Sequence, residues 1–369
     1  MGVPLADITA ELYPDDLHCY SKAAVTLGRV CSTWLGVTRG YPLLWTIVDI
    51  APPNMNSLAV LKSCLEYSGS LPLSLELDLS NYGENTQVNS VLKRLMRTVA
   101  RNAHRWSSIS MMLYRYTKML HRLIVAPHGA FTSLERVSIE AYHVGPWQSN
   151  PVRGLYESFC TSPHLCAVRW WSEPIALDAP QPAIANLTHV GLFLNDGTAE
   201  ILTILRRCNR LQILQFIFHD SCDQPQGSLG TVHLPHLHTL MLRSIHYDFT
   251  WLYNFLVVPR LMRLDVAPRY PQGEAIERML SHSRASLCML NWGFPRHWHL
   301  DDLVGLLHSG PLKSLRVLRY LARPHCRTAE TFSEVARLVP SHVETYTASY
   351  PEPRAPFAGC ARYMMNFWA

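Results

Sequence analysis

Apolar residues recur along most of this chain in one short phrase: a small or polar residue, Leu, two variable positions, Leu or Val, one variable position, and a further apolar residue. It reads SLERVSIEAYH from Ser133, HLCAVRWW from His164, NLTHVGLFLND from Asn186 and RLQILQFIFHD from Arg210. It returns as HLHTLMLRSIH from His236, RLMRLDVAPRY from Arg260, SLCMLNWGF from Ser286 and SLRVLRYLAR from Ser314. Successive copies start 22 to 31 residues apart. The fifth and seventh places fall on one side of an extended chain, so each copy predicts a strand.

Between the copies the period changes to three and four residues, which predicts helices over Thr198 to Asn209, Phe249 to Pro259, Gly273 to Arg284 and His299 to Gly310. Neither a lone strand nor a lone helix can bury its apolar side, so neighbouring units must stack. The spacing sits in or near the range of roughly 20 to 29 residues that marks leucine-rich repeats. The expected fold class is therefore α/β: a leucine-rich-repeat solenoid, or horseshoe, with a parallel sheet inside and helices outside. PLSLELDLS (Pro72 to Ser80) and WSSISMML (Trp106 to Leu113) alternate as two further strands, with the amphipathic QVNSVLKRLMRTVARNAHR between them.

The segment LGRVCSTWLGVTRGYPLLW, Leu27 to Trp45, has a different character. Val25, Leu27, Val30, Cys31, Trp34, Leu35 and Val37 predict one or two short helices that Tyr41 and Pro42 end, before a second apolar cluster at Leu43, Leu44 and Trp45. This module is too small for a core of its own, so it must lean on the solenoid or on a partner. The expected organisation is a helical module over 1–50, the solenoid over 51–345, and a C-terminal cap or loosely ordered tail over 346–369.

The module resembles the second half of the F-box motif in the form common in mushroom-forming fungi, where L-x-R-V-C-x-x-W precedes P-x-L-W-x-x-I. The matching residues are Leu27, Arg29, Val30, Cys31 and Trp34, then Pro42, Leu44, Trp45 and Val48, with Ile50 nearby. LKSCLEYSGSLPLSLEL (Leu61 to Leu77) is similar to the helix, Ser-Gly turn and strand that follow in such proteins. The first F-box helix is divergent: PLADITAELYPDDLHCYSKAAV stands where Leu-Pro-x-Glu and an Ile/Leu-rich helix are usual. The resemblance covers about the first 80 residues. It implies a substrate-recognition subunit of a cullin ubiquitin ligase, docking on the Skp adaptor through Leu27, Val30, Cys31, Trp34, Pro42, Leu44 and Trp45. The repeats would then hold a target protein.

Aligning the phrases gives the expected target face on the concave side. The centres of the strand triplets are Ser138, Arg169, Gly191, Gln215, Met241, Asp265, Asn291 and Arg319, and two places further on stand Glu140, Trp171, Phe193, Ile217, Arg243, Ala267, Gly293 and Leu321. Arg169, Trp171, Phe193, Gln215, Arg243, Asp265, Asn291 and Arg319 are the expected contacts, since Trp and Arg dominate interface energetics and Arg pairs with carboxylates or phosphates.

Composition narrows the alternatives. With 48% hydrophobic and 17% charged residues among 369, the chain carries a large core. No apolar run approaches a membrane span and no leader pattern opens the sequence. Ten cysteines without a CxxC pair fit reduced thiols, so the expected setting is cytoplasmic and/or nuclear. A net charge of +5 falls short of a dedicated nucleic-acid binder. Lys93, Arg97, Arg101 and Arg105 nonetheless recur every four residues, forming either a ridge for an acidic or phosphate-bearing partner or a solvated outer face.

No GxxxxGK[ST], GxSxG or HExxH occurs, and no enzyme chemistry or cofactor is expected. In HWHLDD (His297 to Asp302) the two aspartates are expected in a helix's first turn rather than around a metal. His233, His236 and His238 are expected at a strand surface, and Cys160, Cys166, Cys208 and Cys222 as thiols without zinc-like spacing.

Overall fold

The computed structural model describes residues 20–50, 54–79, 86–114, 129–142, 149–171, 182–194, 198–218, 230–244, 248–267, 270–293, 300–322 and 337–349. The eight phrases supply eight strands: β4 (Arg136–Tyr142), β5 (Ala167–Trp171), β6 (His189–Leu194), β7 (Ile213–Phe218), β9 (Thr239–Ser244), β11 (Arg263–Ala267), β12 (Met289–Gly293) and β13 (Val317–Ala322). The two alternating segments give β2 (Leu73–Leu79) and β3 (Trp106–Tyr114). With β1 (Ile47–Ile50) and β14 (Glu344–Ser349) they form one 12-stranded sheet in which chain order is spatial order and every pair is parallel. Two-residue strands β8 (Val232–His233) and β10 (Leu256–Val257) pair separately.

The nine α-helices of the described residues are α1 (Tyr20–Gly28), α2 (Ser32–Arg39), α3 (Met55–Tyr67), α4 (Thr86–Arg101), α5 (Ser149–Cys160), α6 (Thr198–Leu205), α7 (Thr250–Phe255), α8 (Gly273–Ser283) and α9 (Leu300–Leu307). Helices between sequential parallel strands serve as crossovers of one hand, which keeps them on one side of the sheet. The burial pattern agrees with that arrangement. The three apolar columns of the phrase, headed by Leu134, Val137 and Ile139 in the first copy and ending with Leu315, Leu318 and Tyr320 in the last, are all buried and lie in one continuous core.

A second ladder runs just ahead of the strands. The amide N–H of Cys166 donates to Glu135 O, Thr188 to Cys166, Gln212 to Thr188, His238 to Gln212, Met262 to His238, Cys288 to Met262, Arg316 to Cys288 and Glu344 to Arg316. The chain's bend into each strand is thus hydrogen-bonded to its predecessor, and the backbone polar groups there are satisfied without solvent.

Several boundaries differ from the sequence expectation, among them the ends of the helices at Leu205 and Arg101. β1 belongs to the sheet although it lies in the 1–50 module, and β14 carries the sheet to Ser349, past the expected end at 345; residues 350–369 lie outside the described residues. The helix expected over Phe249 to Pro259 stops at Phe255, because Leu256 and Val257 pair with Val232 and His233 instead. Trp45 and Trp106 show why β1 is part of the array. Each indole Nε1–H donates to a helix carbonyl seven residues back, Thr38 O at 2.7 Å and Val99 O at 2.9 Å. The indole of Trp45 stands two residues ahead of β1 and that of Trp106 opens β3, so each ties the preceding helix to the entry of a strand.

The C-terminal helices are tied to one another at their N-termini. Asp302 of α9 accepts from the backbone N–H of Gln272 and of Gly273, each at 2.8 Å, so it caps α8 rather than its own helix. Asp248 accepts from Thr250 N–H at 2.8 Å and from Gln272 Nε2 at 3.4 Å, while Tyr253 Oη donates to Gln272 Oε1. A Cβ on Gly273 would sit 2.6 Å from Asp302 Oδ1 and 2.7 Å from Asp302 O. Asp302→Ala should cost about 1–2 kcal/mol for the lost cap. Gly273→Ala should cost about 1–3 kcal/mol through overpacking. Urea titration of each variant checks both, and the pair should be non-additive because the two residues touch.

Candidate functional site

The side of the sheet away from the helices mixes polar and apolar residues, and its rows follow from the register. Asp49, Glu76, Ser110, Ser138, Arg169, Gly191, Gln215, Met241, Asp265, Asn291, Arg319 and Tyr346 pair in turn across all twelve strands as one unbroken row. This row contains every triplet centre read from the sequence. Two residues further on, Glu140 pairs with Trp171, Phe193 with Ile217, Ile217 with Arg243 and Arg243 with Ala267. The structure thus brings the expected target residues together as two adjacent rows.

Most of them are not free for a partner. Arg169, Trp171, Gln215, Arg243, Asp265 and Asn291 are all buried. The reason is spacing: parallel strands lie about 4.8 Å apart, so long side chains on successive strands fill the room above each other. Arg169 makes an ion pair with Glu140 at 2.5 Å, its guanidinium 4.0 Å from the Trp171 ring centroid. Reversing Arg169 would strand a buried carboxylate, so Arg169 holds the face together instead of offering it. The side chain of Phe193 lies outside the described residues.

The face opens toward the later strands. Arg319 is half-buried with its guanidinium 5.9 Å from the Tyr346 ring centroid; Tyr346 is exposed and donates its hydroxyl to Glu344 at 2.7 Å. Arg263, its side chain 38% exposed, pairs with Asp265 at 3.0 Å. Tyr346 and Arg263 are solvent-reaching residues of this face that sequence reasoning missed. Arg263 occupies the fourth place of its phrase, which the same alignment puts on this side; Tyr346 sits in a strand without the phrase.

The second surface is the N-terminal helix pair. Val30, Trp34, Val37, Tyr41 and Leu43 are exposed by 65, 45, 49, 61 and 66%, half of all the large exposed apolar residues described, and Cys31 and Pro42 are exposed beside them. Trp34 and Val37 stand three residues apart on α2, with Val30 just before that helix and Tyr41 and Leu43 just after it. The other expected adaptor contacts face inward. Trp45 is a core residue, its ring 5.0 Å from that of Tyr67, and Leu44 packs against the core, while Leu27 is half-buried.

The remaining motifs settle as follows. Cys64, Cys160 and Cys208 are buried, and burial pushes each thiol up to about 12. His233 and His236 are exposed and His238 half-buried; His297 and Cys222 lie outside the described residues. Among the described residues no group of His, Cys, Asp and Glu is arranged to hold a metal, and no helix is long and apolar enough to cross a membrane.

His189, on the sheet face away from the helices, is pushed down to about 4 by burial, with further contributions from His238 and Arg136. The folded chain keeps this imidazole neutral where the unfolded chain protonates it, so stability should be full above about pH 6.5 and fall as the pH drops toward 4. Thermal melts of the wild type and His189→Gln across that window should show the variant gaining stability relative to the wild type as the pH falls, because it lacks this part of the acid sensitivity.

No family model matches this chain, and no curated protein matches it, so its function has to be argued from the two surfaces themselves.

Proposed function

We propose that this chain is a leucine-rich-repeat solenoid that works as a substrate-recognition subunit of a cullin ubiquitin ligase. Its N-terminal helix pair docks on the Skp adaptor in the manner of an F-box, and its helix-free sheet face and rim hold a target protein. The chain itself performs no catalysis; it positions the target near the ubiquitin-carrying enzyme. The reading places its work inside the cell, in the cytoplasm or nucleus.

The observation that carries the proposal is the exposed apolar set of Val30, Trp34, Val37, Tyr41 and Leu43. The rival reading makes this module a simple cap on the first strand. A cap needs an apolar inner side and a polar outer side to keep a repeat array from associating. The inner side is present, since Ala24 and Trp45 are buried. The outer side instead sets five large apolar residues among Arg29, Ser32, Thr33 and Arg39, a mixture that suits a docking surface.

The test is capture of the full-length chain by a purified Skp adaptor. Val30→Ala with Trp34→Ala should abolish capture while the melting temperature stays close to wild type, because both side chains face solvent. Trp45→Ala should instead destabilise the fold by about 3–5 kcal/mol through loss of a core ring. Failure of the intact chain to bind the adaptor would return the module to the role of a cap and leave a protein-interaction scaffold outside the ligase system.

A further inference from the structure

Helix α4 carries a surface that this proposal does not use. Val91, Leu92, Leu95, Met96 and Val99 are buried, while Lys93, Arg94, Arg97 and Arg101 are exposed. At 100° per residue the four cations fall within an arc of about 100°, and Lys93 to Arg101 spans about 12 Å along the axis. No acidic residue occurs between 86 and 105. None of the four side chains takes part in an ion pair or a hydrogen bond among the described residues.

The structure revises the membership of this ridge. Arg105 turns inward, donating to Leu65 O at 3.0 Å, Ser68 Oγ at 2.7 Å and Leu71 O at 3.1 Å, where it closes the C-terminal end of α3. Arg94 takes its place in the exposed set. Like charges four residues apart repel and weaken a helix, and a face needed only for solubility mixes both signs. An unbalanced cationic arc is therefore a cost that a bound anionic partner would remove.

We propose that the outer face of α4 binds an acidic helical segment of a partner protein. Lys93, Arg97 and Arg101 follow one another at about 6 Å, the spacing of acidic side chains at every fourth position of a facing helix. Single-stranded nucleic acid is the less suited polyanion. Its proteins place aromatic rings among the cations for base stacking, and among the described side chains the exposed arc of α4 holds Ser90 and basic residues only.

The experiment uses the full chain and a fluorescent, Ala-based helical peptide bearing Glu at every fourth position. Controls are the same peptide with Gln for Glu and an oligouridylate of equal charge. The wild type should bind the Glu peptide, lose it steeply as salt rises, and ignore the Gln peptide. Arg97→Glu with Arg101→Glu should weaken binding about tenfold or more, and Arg97→Gln with Arg101→Gln by an intermediate factor. Unchanged circular dichroism in both variants secures the comparison. Absence of binding by the wild type, equal binding by the reversed variant, or tighter binding of the oligouridylate would each overturn the proposal.

Discussion

The register between neighbouring strands is the constraint on which everything else in this protein rests. A slip of one residue at any strand would turn its apolar columns away from the helices and its polar row into the core. The backbone ladder from Glu135 through Cys166, Thr188, Gln212, His238, Met262, Cys288 and Arg316 to Glu344 bonds each chain at the residue just before or at the start of its strand, and so sets where the strand begins. The unbroken row from Asp49 to Tyr346 is a consequence of that repetition.

Much of this was legible in the sequence because the same physical problem recurs in every unit. A Leu that anchors the turn and two residues that face the helices leave the same trace each time, and the triplet centres read from that trace all share one row. The ends were less legible. β1 and β14 have a single neighbour each, and neither IVDI nor ETYTAS follows a full copy of the phrase. α7 ends early for a non-local reason, the pairing of Leu256 with Val232, which no local period records. The candidate site shows the same division. Which residues share the face away from the helices follows from period two, but that Arg169 lies clamped between Glu140 and Trp171 depends on residues from two strands and their packing.

The burial of that face changes where recognition can take place. A row whose middle is filled by its own ion pairs and stacked rings is rigid, and a partner would have to displace those contacts before gaining its own. On the proposed reading, the target binds at the later strands, where Arg263, Arg319 and Tyr346 reach solvent and already hold defined geometries. A site of this kind starts from ordered side chains and loses little conformational freedom on binding.

The N-terminal module shows how one short segment can be both structure and surface. Its indole at Trp45 is used inward, donating to Thr38 O and packing on Tyr67, which fixes α2 against the first strand. Trp34 lies on the same helix and is exposed, so α2 carries an inward-facing anchor and an outward-facing apolar side chain together. Among the described residues nothing covers the exposed apolar side chains of this module, and a second molecule seated on them would remove that surface from water.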